Sequence, residues 1–252
     1  MVKRYAEPAT RVPASAATRR RSLPAMRSQI FDRSTAEVAG DTRFALQNPW
    51  MLKVTLGADV LATKGSMVAY QGQAEFRHEG AGSVGKLLKK MLTSEDNPLM
   101  RVTGQAEVFF ARHAQEVFLV ALEGDGLSVN GSSLLAFDAT LDWDIRRVQG
   151  AGMFAGGMFN TLIQGRGELA LSTDGTPVLL DCAGPPTYVD LQAAVAWSAN
   201  LTPEVVSSMK MSSLLRGGSG ESLQYRFQGP GFVIVQPSEG PVVPPHSHGS
   251  TG

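Results

Sequence analysis

The sequence predicts an all-β fold: a barrel-like body of three degenerate strand-rich repeats with one or two short inserted helices. Three observations lead there. Composition is rich in turn-formers and poor in charge, apolar residues alternate at period two between turn dipeptides, and two short motifs recur three times in the same order. The 252 residues include 27 Gly and 14 Pro against 18% charged residues, a balance that suits short strands joined by tight turns. At 43% hydrophobic residues, a chain of this length can fill one large core.

The repeat comes first because it sets the architecture. One motif is a polar residue, a glycine, two further residues and then an apolar strand. It occurs as Thr103-Gly104-Gln105-Ala106-Glu107-Val108, Gln164-Gly165-Arg166-Gly167-Glu168-Leu169 and Gln228-Gly229-Pro230-Gly231-Phe232-Val233, with its leading glycines 61 and 64 residues apart. The second is an apolar strand ending in Ala plus an aromatic: Met67-Val68-Ala69-Tyr70, Leu134-Leu135-Ala136-Phe137 and Ala194-Val195-Ala196-Trp197. Each alanine precedes its glycine, by 35, 29 and 33 residues. Two motifs kept in order define one unit. Three such units around a common axis would close a sheet on itself and remove exposed edges. Glycine at a strand entry marks a bulge or a close backbone approach.

Strand and turn signals fill the units. Met51 to Leu56 alternates Leu52, Val54 and Leu56 with Lys53 and Thr55, one face for the core and one for solvent. Glu168 to Thr173, turning at Asp174-Gly175 into Pro177 to Leu180, reads as a hairpin, because Asp-Gly supplies positive φ. Asp125-Gly126 and Asn130-Gly131 repeat the turn signal. Two helices are expected. From Ser83 to Leu92, Val84, Leu87, Leu88 and Met91 make an apolar stripe beside Lys86, Lys89 and Lys90. From Thr202 to Leu215, Thr202 takes the cap, Pro203 the first turn, and Gly217-Gly218 the stop.

Net charge is zero but unevenly placed. Residues 1–33 hold eight Lys or Arg and two acids, leaving 15 basic and 21 acidic residues in the rest. We therefore divide the chain into a disordered basic tail over 1–33, a single β domain over 34–236 and a second disordered tail over 237–252. An Arg-, Ser- and Ala-rich, acid-poor start also fits an organelle transit peptide, but Pro8, Pro13 and Pro24 would interrupt its helix. Cys182 is the one cysteine, which excludes an internal disulfide and a multi-thiolate metal centre and favours a reducing compartment. With no apolar run long enough to span a bilayer and no secretory h-region, the expected location is the cytoplasm.

Several motifs imitate chemistry. Gly80-Ala81-Gly82-Ser83-Val84-Gly85-Lys86 matches G-x-G-x-x-G and most of a G-x-x-x-x-G-K phosphate loop. Yet Leu87 stands where the second needs a Mg²⁺-binding Ser or Thr, and the surroundings are hairpins where the first needs a βαβ unit. Gly150-Ala151-Gly152 occupies the matching place in the next unit, so a glycine turn of the repeat explains both. His78, His113, His246 and His248 show no ligand spacing. Ser219 lacks the second glycine of a nucleophile elbow, since Glu221 follows Gly220. Glu95-Asp96 and Asp142 with Asp144 read as solvated loop and strand charges. Arg19-Arg20-Arg21 has no interleaved aromatics for single-stranded nucleic acid. Met153-Phe154-Ala155-Gly156-Gly157-Met158-Phe159 is an apolar stretch that would be sticky on a hairpin tip. No catalytic, cofactor-binding or metal-ligating residues are assigned.

Gly65-Ser66-Met67-Val68-Ala69-Tyr70, Gly126-Leu127-Ser128-Val129-Asn130-Gly131, Gly165-Arg166-Gly167-Glu168-Leu169, Tyr188-Val189-Asp190, and Gly220-Glu221 with Gln228-Gly229-Pro230-Gly231 together resemble the altered-inheritance-of-mitochondria (mitochondrial biogenesis) family, in a bacterial, actinobacterial-type form. The resemblance spans Met26 to Glu239. It implies a fold similar to the tryptophan-RNA-binding attenuation protein, a double-stranded β-helix, without implying RNA or tryptophan binding. It also implies a link, in fungal relatives, to inner-membrane organisation, and carries no catalytic residues over.

The expected function is that of a non-enzymatic scaffold or binding protein, with a protein partner or membrane surface and no nucleic acid; the partner is unknown and homo-oligomerisation is left open. Its rivals are a small-molecule or nucleotide binder using Gly80 to Lys86, and an RNA-binding protein.

Overall fold

The computed structural model describes residues 28–31, 35–40, 42–79, 99–147, 159–207 and 223–238. The chain divides into a short N-terminal part, 1–37, and a body, 38–252. In the N-terminal part, Gln29–Phe31 forms a 3-10 turn in which Phe31 N–H donates to Ser28 O at 3.0 Å. The body holds all the described strands: β1 (Phe44–Asn48), β2 (Met51–Thr55), β3 (Val60–Thr63), β4 (Met67–His78), β5 (Leu99–Phe110), β6 (Glu116–Asn130), β7 (Leu134–Asp138), β8 (Asp142–Arg147), β9 (Phe159–Thr173), β10 (Val178–Asp181), β11 (Thr187–Asp190), β12 (Ala194–Ser198), β13 (Glu204–Ser207), β14 (Leu223–Phe227) and β15 (Phe232–Val235). There is no α-helix among the described residues.

The sequence repeat is a repeat of strand pairing. In each unit the glycine motif lies on a central strand: β5, β9, or β14 continued by β15. Five residues after the glycine, that strand faces the motif alanine, as Ala69 opposite Phe109, Ala136 opposite Ala170 and Ala196 opposite Ile234. The aromatics follow in step, Tyr70 opposite Val108, Phe137 opposite Leu169 and Trp197 opposite Val233. A register irregularity stands just before each alanine. The opposite edge of the central strand takes β2 with β3, β6, or β10 with β11, through Val54–Val108, Val120–Leu169 and Leu180–Val233. Each unit is thus three antiparallel strands whose last-synthesised strand lies in the middle.

The motif glycines let the central strand change partners. β5 pairs with β3 through Val102 and with β2 from Glu107; β9 pairs with β8 through Gln164 and with β7 from Leu169. Between these segments Gly104, Gly165 and Gly229 hold φ of 124°, 120° and 131°, a region that side chains avoid. At Gly104 a Cβ would lie 2.2 Å from the Gln73 carbonyl oxygen, so here the expected close approach is real.

Neighbouring units join side by side. β3 pairs with β7, Leu61 opposite Phe137 and Ala62 opposite Ala136. β6 pairs with β12, Ser128 opposite Trp197 and Val129 opposite Ala196. These junctions unite twelve strands, while β11, β14 and β13 form a separate three-stranded sheet. The described strands do not close into the expected barrel. Three units in a row make two junctions, and the third would need β11 beside β4, whereas among the described strands β4 pairs with β5 alone and β11 with β14 alone.

Three other expectations change. Asp174-Gly175 does turn the chain, with Gly175 at φ 81°, but β9 and β10 are not a hairpin. β9 already has β6 on one edge and β7 on the other, so β10 pairs with β15 instead. Asp125-Gly126 is no turn but a bulge inside β6. The helix expected from Thr202 begins as a strand, since Glu204–Ser207 pairs with β14 and sets Val205 opposite Tyr225; β-branched Val205 and Val206 suit a pleated ladder, and pairing overrides the capping signal. The remainder of that helix, the helix at Ser83 to Leu92, residues 1–27 and residues 239–252 lie outside the described residues.

The buried clusters run across the junctions between units. Phe44, Leu52, Val54, Val108 and Phe110 centre the first, and Leu61 of the first unit joins Phe137, Ile163 and Leu169 of the second unit in the second cluster. The third is aromatic, with the Trp197 ring centroid 5.4 Å from Tyr225 and 5.3 Å from Phe227. Lys53 departs from the alternation expected of it, being buried. Its ammonium donates to Val38 O at 2.7 Å and Glu107 Oε1 at 3.1 Å, which compensates the lost hydration.

Candidate functional site

The charged side chains within the β body act chiefly as clamps between strands. Arg43, just before β1, forms an ion pair with Asp138 at the end of β7 and donates to Ala58 O and Asp59 O at 2.9 and 3.0 Å. Asp138 in turn accepts the Glu168 N–H at 2.8 Å. Burial pulls the Arg43 guanidinium below its ordinary pKa, against the opposing pull of Glu168 and Asp59. Arg101 grips Glu79 through two bonds of 2.7 Å and reaches Asp59 at 3.2 Å; the bond to Glu79 raises its pKa most. Such forked pairs fix geometry as well as charge.

A cleft of about 440 Å³ opens where the second and third units meet, lined by Val120, Leu122, Gly126, Gln164, Asn200 and Phe232. The β6 bulge shapes one wall, and Ala199 N–H donates across to Gly126 O at 3.1 Å. Three of its polar side chains are engaged in structure. Ser198 Oγ accepts from Phe232 N–H at 3.0 Å, Asn200 Nδ2 donates to Pro230 O at 2.6 Å, and Asp125 Oδ1 accepts from Glu123 N–H at 3.2 Å. The walls mix apolar side chains with Asp125, Gln164, Ser198 and Asn200, and no His, Lys or Cys is among the lining residues to activate the serine hydroxyl.

The sheet edges differ from this closed interior. Val68 and Tyr70 on β4 are 52% and 47% exposed, whereas their counterparts Leu135 and Phe137 are both 0% exposed, and Val195 and Trp197 are 0% and 2% exposed. The difference lies in coverage. β7 and β12 each have a neighbouring unit's strand beside them; among the described strands, none lies beside β4 except β5. β10 is also bare. Val178 and Leu179, 53% and 60% exposed, occupy the places that Leu52 and Lys53 hold on β2, which β1 covers.

Those sequence-selected residues that are described do not converge. His78 ends β4 and is exposed, and His113 sits in the β5–β6 turn at φ 45°. Asp142 and Asp144 lie on β8, the latter 3.5 Å from Arg146. Among the described residues no three metal-binding side chains gather, and no helix is long and apolar enough to cross a membrane. Gly80 to Lys86, Lys89, Lys90, Glu95-Asp96, Gly150 to Met158, Ser219, His246 and His248 lie outside the described residues. Sequence reasoning missed the bare edges and the cleft. Val68 and Tyr70 are as apolar as their buried counterparts, so only the pairing reveals their exposure.

Comparison with curated proteins finds no match. A crystal structure of a protein from Streptococcus pyogenes superposes with a TM-score of 0.61 at 19% identity, over 77% of this chain and 91% of that one; such identity shows a shared fold. A family profile described as mitochondrial biogenesis AIM24 matches residues 44–238, from the first residue of β1 to just beyond β15. The repeated β body is therefore the family's domain, and the chain belongs to the mitochondrial biogenesis AIM24 family.

Proposed function

We propose that the protein is a non-enzymatic scaffold which holds a protein partner by the bare edge of β10. One observation carries the reading: Val178 and Leu179 stand exposed on a strand whose counterpart, β2, is covered by β1. An extended segment of a partner laid along β10 would occupy the place that β1 takes on β2. Backbone bonds would supply affinity, and the apolar side chains of β10 would supply selectivity. Family membership gives the setting, mitochondrial biogenesis, by the family's description. Clamped charges support a rigid body that presents surfaces.

The test compares partners recovered from native extract, identified by mass spectrometry, using the unmodified chain and the double variant Val178→Lys, Leu179→Lys. Both positions are exposed, so the variant keeps its melting temperature within a few degrees and loses the partner. Undiminished recovery by the variant would move the docking site elsewhere. Flotation of the chain with anionic vesicles, abolished by the same substitutions, would replace the protein partner with a membrane.

A further inference from the structure

The two internal junctions define a rule for joining units. A first strand meets the second strand of the next unit with a small apolar residue opposite the motif alanine, Ala62–Ala136 and Val129–Ala196. The preceding residue meets the motif aromatic, Leu61–Phe137 and Ser128–Trp197. Measured against the central strands, Ala62, Val129 and Val189 hold one equivalent place, four residues before the motif glycine, and Leu61, Ser128 and Tyr188 the next. The third unit therefore carries the donor half of another junction, Tyr188 and Val189 on β11. The first unit carries the acceptor half, Ala69 and Tyr70 on β4. Among the described strands these halves are not joined to each other. Both also look unfinished: Val68, Tyr70 and Tyr188 are exposed large apolar residues, Tyr188 at 55%.

We infer that β11 of one copy of this chain pairs antiparallel with β4 of another, in the register of the internal junctions, with Val189 opposite Ala69 and Tyr188 opposite Tyr70. The occupant of each edge is a second copy because this chain already carries both halves of the contact and makes the same contact twice within itself. The pairing joins two different surfaces, so it is heterologous and propagates head to tail into a ring or a filament. It would cover Val68 and Tyr70 as β3 and β6 cover their counterparts, and remove two bare strand edges of the kind that folded proteins otherwise protect. It concerns strands other than β10 and stands whether or not β10 holds a partner.

A mixing experiment with the full chain tests it. Val68→Lys blocks the β4 edge and Tyr188→Lys the β11 edge, both at exposed positions, and circular dichroism checks that each variant melts within a few degrees of the unmodified chain. Light scattering should show multimers for the unmodified chain, monomers for each variant alone, and one-to-one dimers for the mixture, because the mixture restores one intact pair of edges. Each blocked edge should weaken association at least about tenfold. Tyr70→Cys and Tyr188→Cys variants, both at exposed positions that the proposed register sets opposite each other, mixed and treated with a short bismaleimide, should give a covalent dimer, buried Cys182 remaining unmodified. The inference is overturned if the unmodified chain is monomeric up to about 100 µM, if the two lysine variants mixed together stay monomeric, or if a chain carrying both cysteines cross-links only within itself.

Discussion

Gly104→Ala should be the most damaging small substitution in the repeat. At φ 124° an alanine is forced into backbone space that costs about 1–3 kcal/mol. Its Cβ would also lie 2.2 Å from the Gln73 carbonyl oxygen and 3.2 Å from the Ala74 Cα. These are backbone atoms of the paired strand, so relief requires moving β4, and overpacking of this kind adds about 1–3 kcal/mol. The sum is about 4 kcal/mol, which in a domain of this size lowers Tm by about 8–16 °C. Gly165 supplies the control. It has nearly the same φ, 120°, but a Cβ there first meets Leu141 Cδ2 at 3.4 Å, an ordinary contact. Gly165→Ala therefore carries the conformational cost alone, about 2 kcal/mol and about 4–8 °C. Thermal melts followed by far-UV circular dichroism at low protein concentration measure both. Equal melting temperatures, or a Gly104→Ala chain that melts higher than Gly165→Ala, would refute the close-approach argument.

Phe137→Ala should cost about 3–5 kcal/mol, since the ring is fully buried in the second core cluster, and urea midpoints will show whether Tyr70→Ala, exposed in the isolated chain, costs under half as much. Burial raises the Cys182 thiol above its ordinary 9.0 and the Tyr225 phenol above its ordinary 10.0. The folded chain thus holds these protons more tightly than the unfolded one. Their contribution is fully present below the unfolded values and declines as pH rises through 9 and 10 toward the folded values; the urea midpoint should fall between about pH 8 and about pH 10.5, less steeply in Tyr225→Phe. An unchanged midpoint, or an equal fall in the variant, would show that Tyr225 is not shielded. ATP, GTP and NAD should leave Tm unmoved, and a rise of several degrees abolished by Lys86→Ala would establish the nucleotide reading.

The repeat was legible in the sequence because its motifs mark geometrically demanding places. Gly104, Gly165 and Gly229 stand where the central strand exchanges partners, and Ala69, Ala136 and Ala196 where a register irregularity brings strands together. Partner choice was not legible, being non-local. Asp174-Gly175 signals a turn, but nothing within ten residues of it says that β9 is already flanked on both edges. Thr202-Pro203-Glu204 carries a valid helix start that only the pairing of Val205 with Tyr225 overrules. Lys53 reads as solvent-facing until Glu107, which is 54 residues away in sequence, supplies its counter-charge. The bare edges were invisible for a related reason: Val68 and Tyr70 have the composition of covered residues, and coverage belongs to the assembled sheet.

That the central strand comes last in every unit has a consequence for the chain as it is made. As β6, β7 and β8 leave the ribosome, the strand that joins them, β9, has not yet emerged, and the same holds for β10 to β13 before β14 and β15. Completion therefore advances in steps, at Phe110, Thr173 and Val235. Between steps, two apolar strands wait with their inner edges open, a period in which chaperones or premature association would act. β3 and β6 shorten that wait at their other edges, since each offers the incoming unit a finished strand on which β7 or β12 can lie down first.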